Sequence, residues 1–541
     1  MRVPERPAGR FYFCDIIFLS LAAVYAALVW TGIAPLSGDG AVLDSDLQTY
    51  AQGMAGDVLR PEFAGDPVLA EATPANSIPN LERSLASWLA GPGQWATGLL
   101  KAGAIAIFLF YAGWYALGRW LYGAPALAAM LAVACGITVW VGWGTFWGVN
   151  HSDPVPRVFF AAIMPFLLLL GFIGLKRPAI RPIAMLFCGL SIWVHGVSSL
   201  NCGAMLFTSF LFIRKPGSGW QVHAANLSLC LIAFFAPVLY FLWPSLNQGA
   251  SFNQAELALF HELFELRWAE DYGHFGARIA RFLSFANQGW PILLGGIAGY
   301  LTLWFLGAGR EKLLCKVVPC YLLALAATAA FCWLEGRYAP SFGRLPMGHE
   351  LVRGLRFCVP LAWLLAAGGI GCLCGKNLRR LLLCCEIALV LAISADRQLM
   401  AAQYALTSLT GVKLPLSDRA ALAAEKARNM RKLFERIRAI VPPGEAIFCP
   451  EDAMPVRYIS QRPLAHAFKD GYVHFYNKDV EKSRLWLSLE KMSRTGANGV
   501  LAAWRLSGAN WLLCRQDLAG VAECGTVMLD QDGWLLARKK N

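Results

Sequence analysis

Asp44, Asp46 and Tyr50 stand in the stretch DSDLQTYAQGM, residues 44–54, directly after the first long apolar block of the chain. A carboxylate can take a proton from a hydroxyl as a general base. Two carboxylates in a DxD arrangement can also hold a divalent cation. Asp46, Tyr50 and Met54 are spaced four apart and therefore share one face of a helix. The same acids would serve as the N-terminal cap of that helix, where negative charge is favoured.

A second polar stretch, WGVNHSDPVPRVF, carries His151, Asp153 and Arg157 between two apolar blocks. Asp153 would face the same side as Asp46; equally, Asp153-Pro154 would start a turn. Arg157 would anchor a helix at the interface or contact a lipid phosphate. His195, in GLSIWVHGVSSLN, lies between two short apolar segments, where a polar group needs a cavity or a partner. Arg267 sits among acids and aromatics in LFELRWAEDYGHF, which suits a sugar or phosphate site and equally an interfacial helix. Arg337, Arg344, Arg353 and Arg356 punctuate EGRYAPSFGRLPMGHELVRGLRF. Guanidinium groups bind phosphate through a planar fork. Arg457, Arg462 and Lys469, in MPVRYISQRPLAHAFKDG, form a further basic run for which a folding role is the default. No Walker, HExxH or GxSxG pattern stands in the right context, which removes most nucleotide-driven and hydrolytic readings.

What must position these residues is a membrane bundle. Hydrophobic residues make up 57% of the 541 and charged ones only 15%, against about 25% charged in soluble domains. Apolar blocks fall near 11–32, 96–117, 124–143, 158–175, 182–194, 197–213, 224–243, 290–306, 314–334, 357–374 and 381–393, which predicts eleven spans. Phe11–Gly32 is too long for a signal-peptide core and reads as a retained helix. With the N-terminus cytoplasmic, every inside loop is basic, and the first outside loop, 35–95, has eight acids against Arg60 and Arg83. The net charge of +13 is thus a topology signal and not a nucleic-acid footprint. The other outside segments would be 147–157, 244–288 and 335–356, the second holding ELALFHELFELRW as an amphipathic surface helix.

The expected fold class is an all-α polytopic membrane bundle over 1–400, a helical connector over 401–441 and a small α/β domain outside the membrane over 442–541. Strands are predicted at IFCP, VRYIS, NWLLCR and WLLARK, and a helix near 479–494. Most of the 16 cysteines lie in apolar blocks, where Cys behaves as a small hydrophobe. For Cys514 and Cys524, a disulfide and free thiols are both open.

The Asp-x-x-x-Tyr-Ala-x-x-Met pattern at 46–54, shortly after the first span, resembles the first outside loop of the GT-C glycosyltransferases. The plan of helical core plus outside C-terminal domain is similar to uncharacterised bacterial membrane proteins of GT-C type. The family's Asp-Glu start is Asp46-Leu47 here. The resemblance implies a bacterial inner-membrane enzyme that moves a sugar from a polyprenyl-phosphate donor to a lipid or glycan acceptor outside the cytoplasm. It implies Asp46 as catalytic base, Asp153 as a second acid, and Asp44 as an adjuster of charge or as part of a divalent-cation site that the reaction does not require. Tyr50, His151, His195, Arg267 and the four arginines of 337–356 become the substrate-binding set. Two other readings remain beside it: a transporter or flippase of lipid-linked glycans using the same cavity without a base, and a membrane-anchored binding or assembly protein.

Overall fold

The computed structural model describes residues 13–43, 45–71, 81–91, 93–142, 145–149, 154–246, 252–272, 289–345, 348–393, 396–451 and 453–540. Asp44, His151 and Asp153 lie outside the described residues, and Arg267 lies on a described helix without a described side chain.

The architecture is predominantly helical. Among the described residues, seven helices are long and apolar enough to cross a membrane: Phe13–Leu36 (α1), Trp95–Tyr122, Pro156–Lys176, Trp220–Trp243, Gly289–Leu306, Glu311–Tyr338 and Glu350–Leu373. Three of the other four expected segments are helical through most of their length; the expected span 124–143 is not one helix, since its helix ends at Gly136 and runs into the strand Val139–Gly142. Pro125–Gly136, Pro178–Trp193 and Gly196–Phe212 are shorter, and Lys376–Ile393 carries Lys376, Arg379, Arg380 and Glu386. Trp95–Tyr122 and Pro156–Lys176 are each 67% buried and form the centre, while Gly289–Leu306 is 22% buried and lies at the rim. The rim helices leave Ile232, Phe235, Leu239, Trp304 and Phe305 exposed. Apolar surface of this extent suits lipid rather than water. Small residues let the helices close up, as hydrocarbon gives no hydrophobic drive between them. A Cβ on Gly299 would come within 2.3 Å of the Leu365 carbonyl oxygen, and one on Gly32 within 2.0 Å of that of Ala401.

Between the first and second spans, Ser45–Leu59 forms α2 and Leu81–Leu89 a short helix. β1 (Val139–Gly142) and β2 (Thr145–Trp147) make an antiparallel ribbon ahead of Pro156–Lys176. After a long helix, Ser417–Ile440, comes a five-stranded sheet in the order β4-β3-β5-β7-β6. Its strands are β3 (Ile447–Phe448), β4 (Leu464–His466), β5 (Trp511–Arg515), β6 (Gly525–Gln531) and β7 (Trp534–Lys539). β3 is parallel to β4 and β5, and β7 is antiparallel to β5 and β6. Asp532 and Gly533 close the last hairpin with φ of 52° and 79°, the left-handed pair that a two-residue primed turn requires and that Asp-Gly supplies.

The sheet alternates with a period of two. Ile447, Trp511, Leu513 and Leu536 join the large core that runs through the bundle, while Phe448, Leu512, Cys514 and Ala537 pack against Val500, Leu501 and Trp504 on the other side. VRYIS is not a strand: Pro455–Tyr458 is a single helical turn with Pro at its first position, and Ile459 N donates to Pro455 O at 2.8 Å. Proline there pre-sets the helical φ and loses no needed N–H. The helix Gln254–Tyr272 also differs from expectation. Its Phe260, Leu263 and Phe264 pack on Phe475, Trp486 and Leu487 rather than on a membrane surface. Cys514 and Cys524 are free thiols.

Candidate functional site

Asp46 is the second residue of α2, where the helix dipole favours an anion. Its Oδ1 accepts from Lys469 Nζ at 2.5 Å, and its Oδ2 accepts from Arg157. The three residues come from three distant parts of the chain. Arg157 is the second residue of Pro156–Lys176, an unfavourable place for a cation at a helix N-terminus. Asp46 compensates it, and the Phe146 ring of β2 supports it, with the guanidinium carbon 4.9 Å from the centroid. Lys469 precedes the helix Asp470–Asn477 at its cap position.

The Asp46 side chain keeps 34% of its surface exposed, against 16% for Lys469 and 10% for Arg157. Burial alone would raise the acidity constant of Asp46. Lys469 first and then Arg157, with Arg353 behind them, overrule it and hold the carboxyl well below the usual carboxylate range.

Further cations stand behind this pair. Arg353 lies 3.3 Å from Glu350. Arg356 is 2% exposed, donates to the Ser198 hydroxyl, and has no carboxylate within ion-pair distance among the described residues. Burying a guanidinium without a counter-charge is costly. An arrangement of this kind gains most when an anion arrives. His195 caps Gly196–Phe212: Ser198 N donates to its Nδ1 at 3.2 Å, so the ring proton sits on Nε2. Burial, then Arg356, Arg157 and Arg353, keep the imidazole neutral, well below its ordinary value, with Asp46 opposing them weakly. Tyr50, one turn beyond Asp46, has its phenol raised by burial and by Tyr472, Glu82, Asp46 and Glu350 around it.

Of the residues expected from sequence, Asp46, Tyr50, His195, Arg353 and Arg356 thus share one electrostatic neighbourhood. Arg337 and Arg344 stand elsewhere. The first is exposed, its guanidinium carbon 6.0 Å from the Trp333 centroid; the second pairs at 2.6 Å with Glu335, which also accepts from Gly348 N. Through Glu335, Arg344 and Gly348 N are held together. Arg157 and Lys469 are the partners that sequence reasoning left out of the site. Arg157 carried a signal, since a lipid-phosphate contact was one of its readings, but nothing in sequence linked Lys469 to a residue 423 positions earlier.

Of the Asp44/Asp46 pair that could hold a divalent cation, Asp44 lies outside the described residues. Both Asp46 oxygens already face cations, and no cluster of three His, Cys, Asp or Glu side chains with metal-binding geometry occurs among the described residues.

The position of Lys469 is set by a buried clamp. Arg457 donates to Asp66 at 2.6 and 3.0 Å, to Asp470 at 2.7 and 2.9 Å, to Gln52 Oε1 at 2.9 Å and to Leu464 O at 3.1 Å. Arg457, Asp66 and Asp470 are completely buried. Asp66 also accepts from Val68, Leu69 and Leu464 amides. The first loop and the C-terminal segment are thereby locked together beside the Asp46–Lys469 pair.

Glu82 is the opposite kind of carboxyl. It is 2% exposed, its two oxygens have no hydrogen-bond partner among the described residues, and burial pushes it up to about 8 from 4.5. The folded value is the raised one. The stability it contributes is therefore complete below about 4.5 and is lost as pH rises through about 8. The unfolding temperature in detergent is expected to fall over that window, by the equivalent of a few kcal/mol at most. Glu82→Gln is expected to flatten the profile; an unchanged slope in that variant would assign the pH effect to another group.

No protein-family model matches this chain, and no curated protein matches it.

Proposed function

We propose that the chain is a multi-pass membrane glycosyltransferase of GT-C type, transferring a sugar from a polyprenyl-phosphate donor to an acceptor outside the cytoplasm. The observation that carries the reading is the cation cluster at Asp46: one carboxylate from the first loop held by Lys469 and Arg157, with Arg353 behind them and the buried Arg356 beside Arg157 and Arg353. In the reaction, an Asp46 oxygen accepts the acceptor's hydroxyl proton. The acceptor oxygen bonds to the anomeric carbon, and the bond from that carbon to the phosphate oxygen breaks with its electrons leaving on phosphate. The arginines stabilise the charge that develops there. Asp153 remains the proposed second acid. The experiment is sugar transfer by purified protein in lipid vesicles, read with a set of polyprenyl-phosphate sugars.

The eleven-span plan, a cytoplasmic N-terminus and an α/β domain at 442–541 on the far side of a bacterial inner membrane belong to the same proposal. Reporter fusions after Lys176, Lys215 and Arg380 are expected to read inside, and one after Asn541 outside. A cytoplasmic reading at Asn541 would sink the topology, because the Arg457–Asp66 clamp holds the first loop and the C-terminal segment on one side.

One observation favours a second reading. Held by two cations, Asp46 is a poor base as it stands, and a site that binds lipid-linked phosphate without a base suits a transporter or flippase.

A further inference from the structure

Each oxygen of the Asp46 carboxylate is occupied by one cation, Oδ1 by Lys469 and Oδ2 by Arg157. Those two cations are also the phosphate ligands nearest to where a base would act. They cannot serve both partners fully. A charge-assisted hydrogen bond from either cation to a phosphate oxygen is at least as strong as the one to the carboxylate. The bulk of the two side chains is buried, and the carboxylate they hold is the most exposed of the three groups.

We propose that the ligand's phosphate and Asp46 compete for Lys469 and Arg157, so that binding of the phosphate itself uncovers the carboxylate; this rests on the lipid-phosphate reading of the site. The protein at rest keeps its base paired and inert. Arrival of the anion takes the cations and leaves the carboxylate next to a negative charge, which raises its proton affinity toward the range a general base needs. The step makes and breaks only ionic contacts: the phosphate gains the N–H donors of Lys469 and Arg157, and Asp46 loses them. Arg353 and Arg356 hold the phosphate from behind without a claim on Asp46 as close as that of Lys469 and Arg157. The rest of the site is set by Tyr50, Tyr472, Glu82 and Glu350 around the phenol of Tyr50, and by His195 facing Arg356, Arg157, Arg353 and Asp46. His195, Glu82 and Glu350 are the other groups that an arriving anion would push toward protonation.

The test is binding, not turnover. The probe is a short-chain prenyl methyl phosphate, a diester that has no proton of its own to release at neutral pH, titrated calorimetrically into full-length protein in detergent. Asp46→Asn removes the competitor and is expected to bind the probe about ten-fold tighter than the parent. Lys469→Met removes a donor and is expected to bind it about ten-fold more weakly. Parent affinity is expected to rise as pH falls from about 8 to 5, because the bound form takes up the proton. That slope should persist in His195→Gln and vanish in Asp46→Asn. Equal or weaker binding by Asp46→Asn, or a slope that follows His195, Glu82 or Glu350 instead, overturns the competition and leaves the phosphate site standing. Absence of probe binding by the parent and by all three variants overturns the phosphate reading itself, and the competition falls with it.

Discussion

Arg457→Met is expected to lose most of the folded protein. Asp66 and Asp470 sit with Arg457 at zero exposure. Burial works against the guanidinium's charge, but Asp470 and Asp66 more than offset it and hold the group cationic. Methionine keeps an unbranched stem and removes the charge and all the donors. Two buried carboxylates are then left facing each other, with Gln52 Oε1 and Leu464 O also losing a donor. Breaking one partner out of a buried ion pair costs about 3–5 kcal/mol, a large share of the ~5–15 kcal/mol by which folded proteins exceed their unfolded state. Thermal unfolding in detergent and folded yield read the effect. Replacing Arg457, Asp66 and Asp470 together by apolar residues should restore much of the loss, since removal of a whole buried cluster is often close to neutral. A single Arg457→Met protein as stable as the parent would show that the clamp is not what joins the first loop to the sheet.

Asp46→Asn carries the largest expected effect on activity. Asparagine keeps the shape and a polar group in the first turn of α2, so folding should be retained. It cannot take a proton from a hydroxyl. Loss of a general base typically lowers the rate by about 10²–10⁴-fold. On the competition argued above, the variant should hold a phosphate ligand more tightly while turning it over far more slowly, so kcat falls and apparent affinity rises together. Sugar transfer from a polyprenyl-phosphate donor measures it, once a donor that the parent uses is in hand. Full activity would reduce Asp46 to a first-turn acid and an ion-pair partner, and the transport reading would move ahead.

The parts of this site that were legible in sequence are those with local signatures. The four-residue spacing of Asp46 and Tyr50 placed both on one helix face, and arginines running against the inside charge bias singled out Arg353 and Arg356. The same bias singled out Arg337, which stands exposed over Trp333, and Arg344, which pairs with Glu335. Partners that depend on tertiary contact left no local trace. Lys469 is 423 residues from Asp46 and Arg457 is 391 from Asp66. Glu82 looked like an ordinary loop acid because only the packed fold buries it. For VRYIS, the β-branched and aromatic residues outweighed the helical signal of the proline before them. For ELALFHELFELRW, an apolar face was evident, but not that Phe475 and Trp486 would cover it.

The distance along the chain between Asp46 and Lys469 also sets an order in time. The first loop leaves the ribosome early; Arg157, the nearer partner of Asp46, follows 111 residues later, but Asp66 lacks Arg457 and Asp46 lacks Lys469 until several hundred further residues have been made. Until residues 457–469 have been made, the clamp of Arg457 on Asp66 cannot close and Asp46 lacks its Lys469 partner.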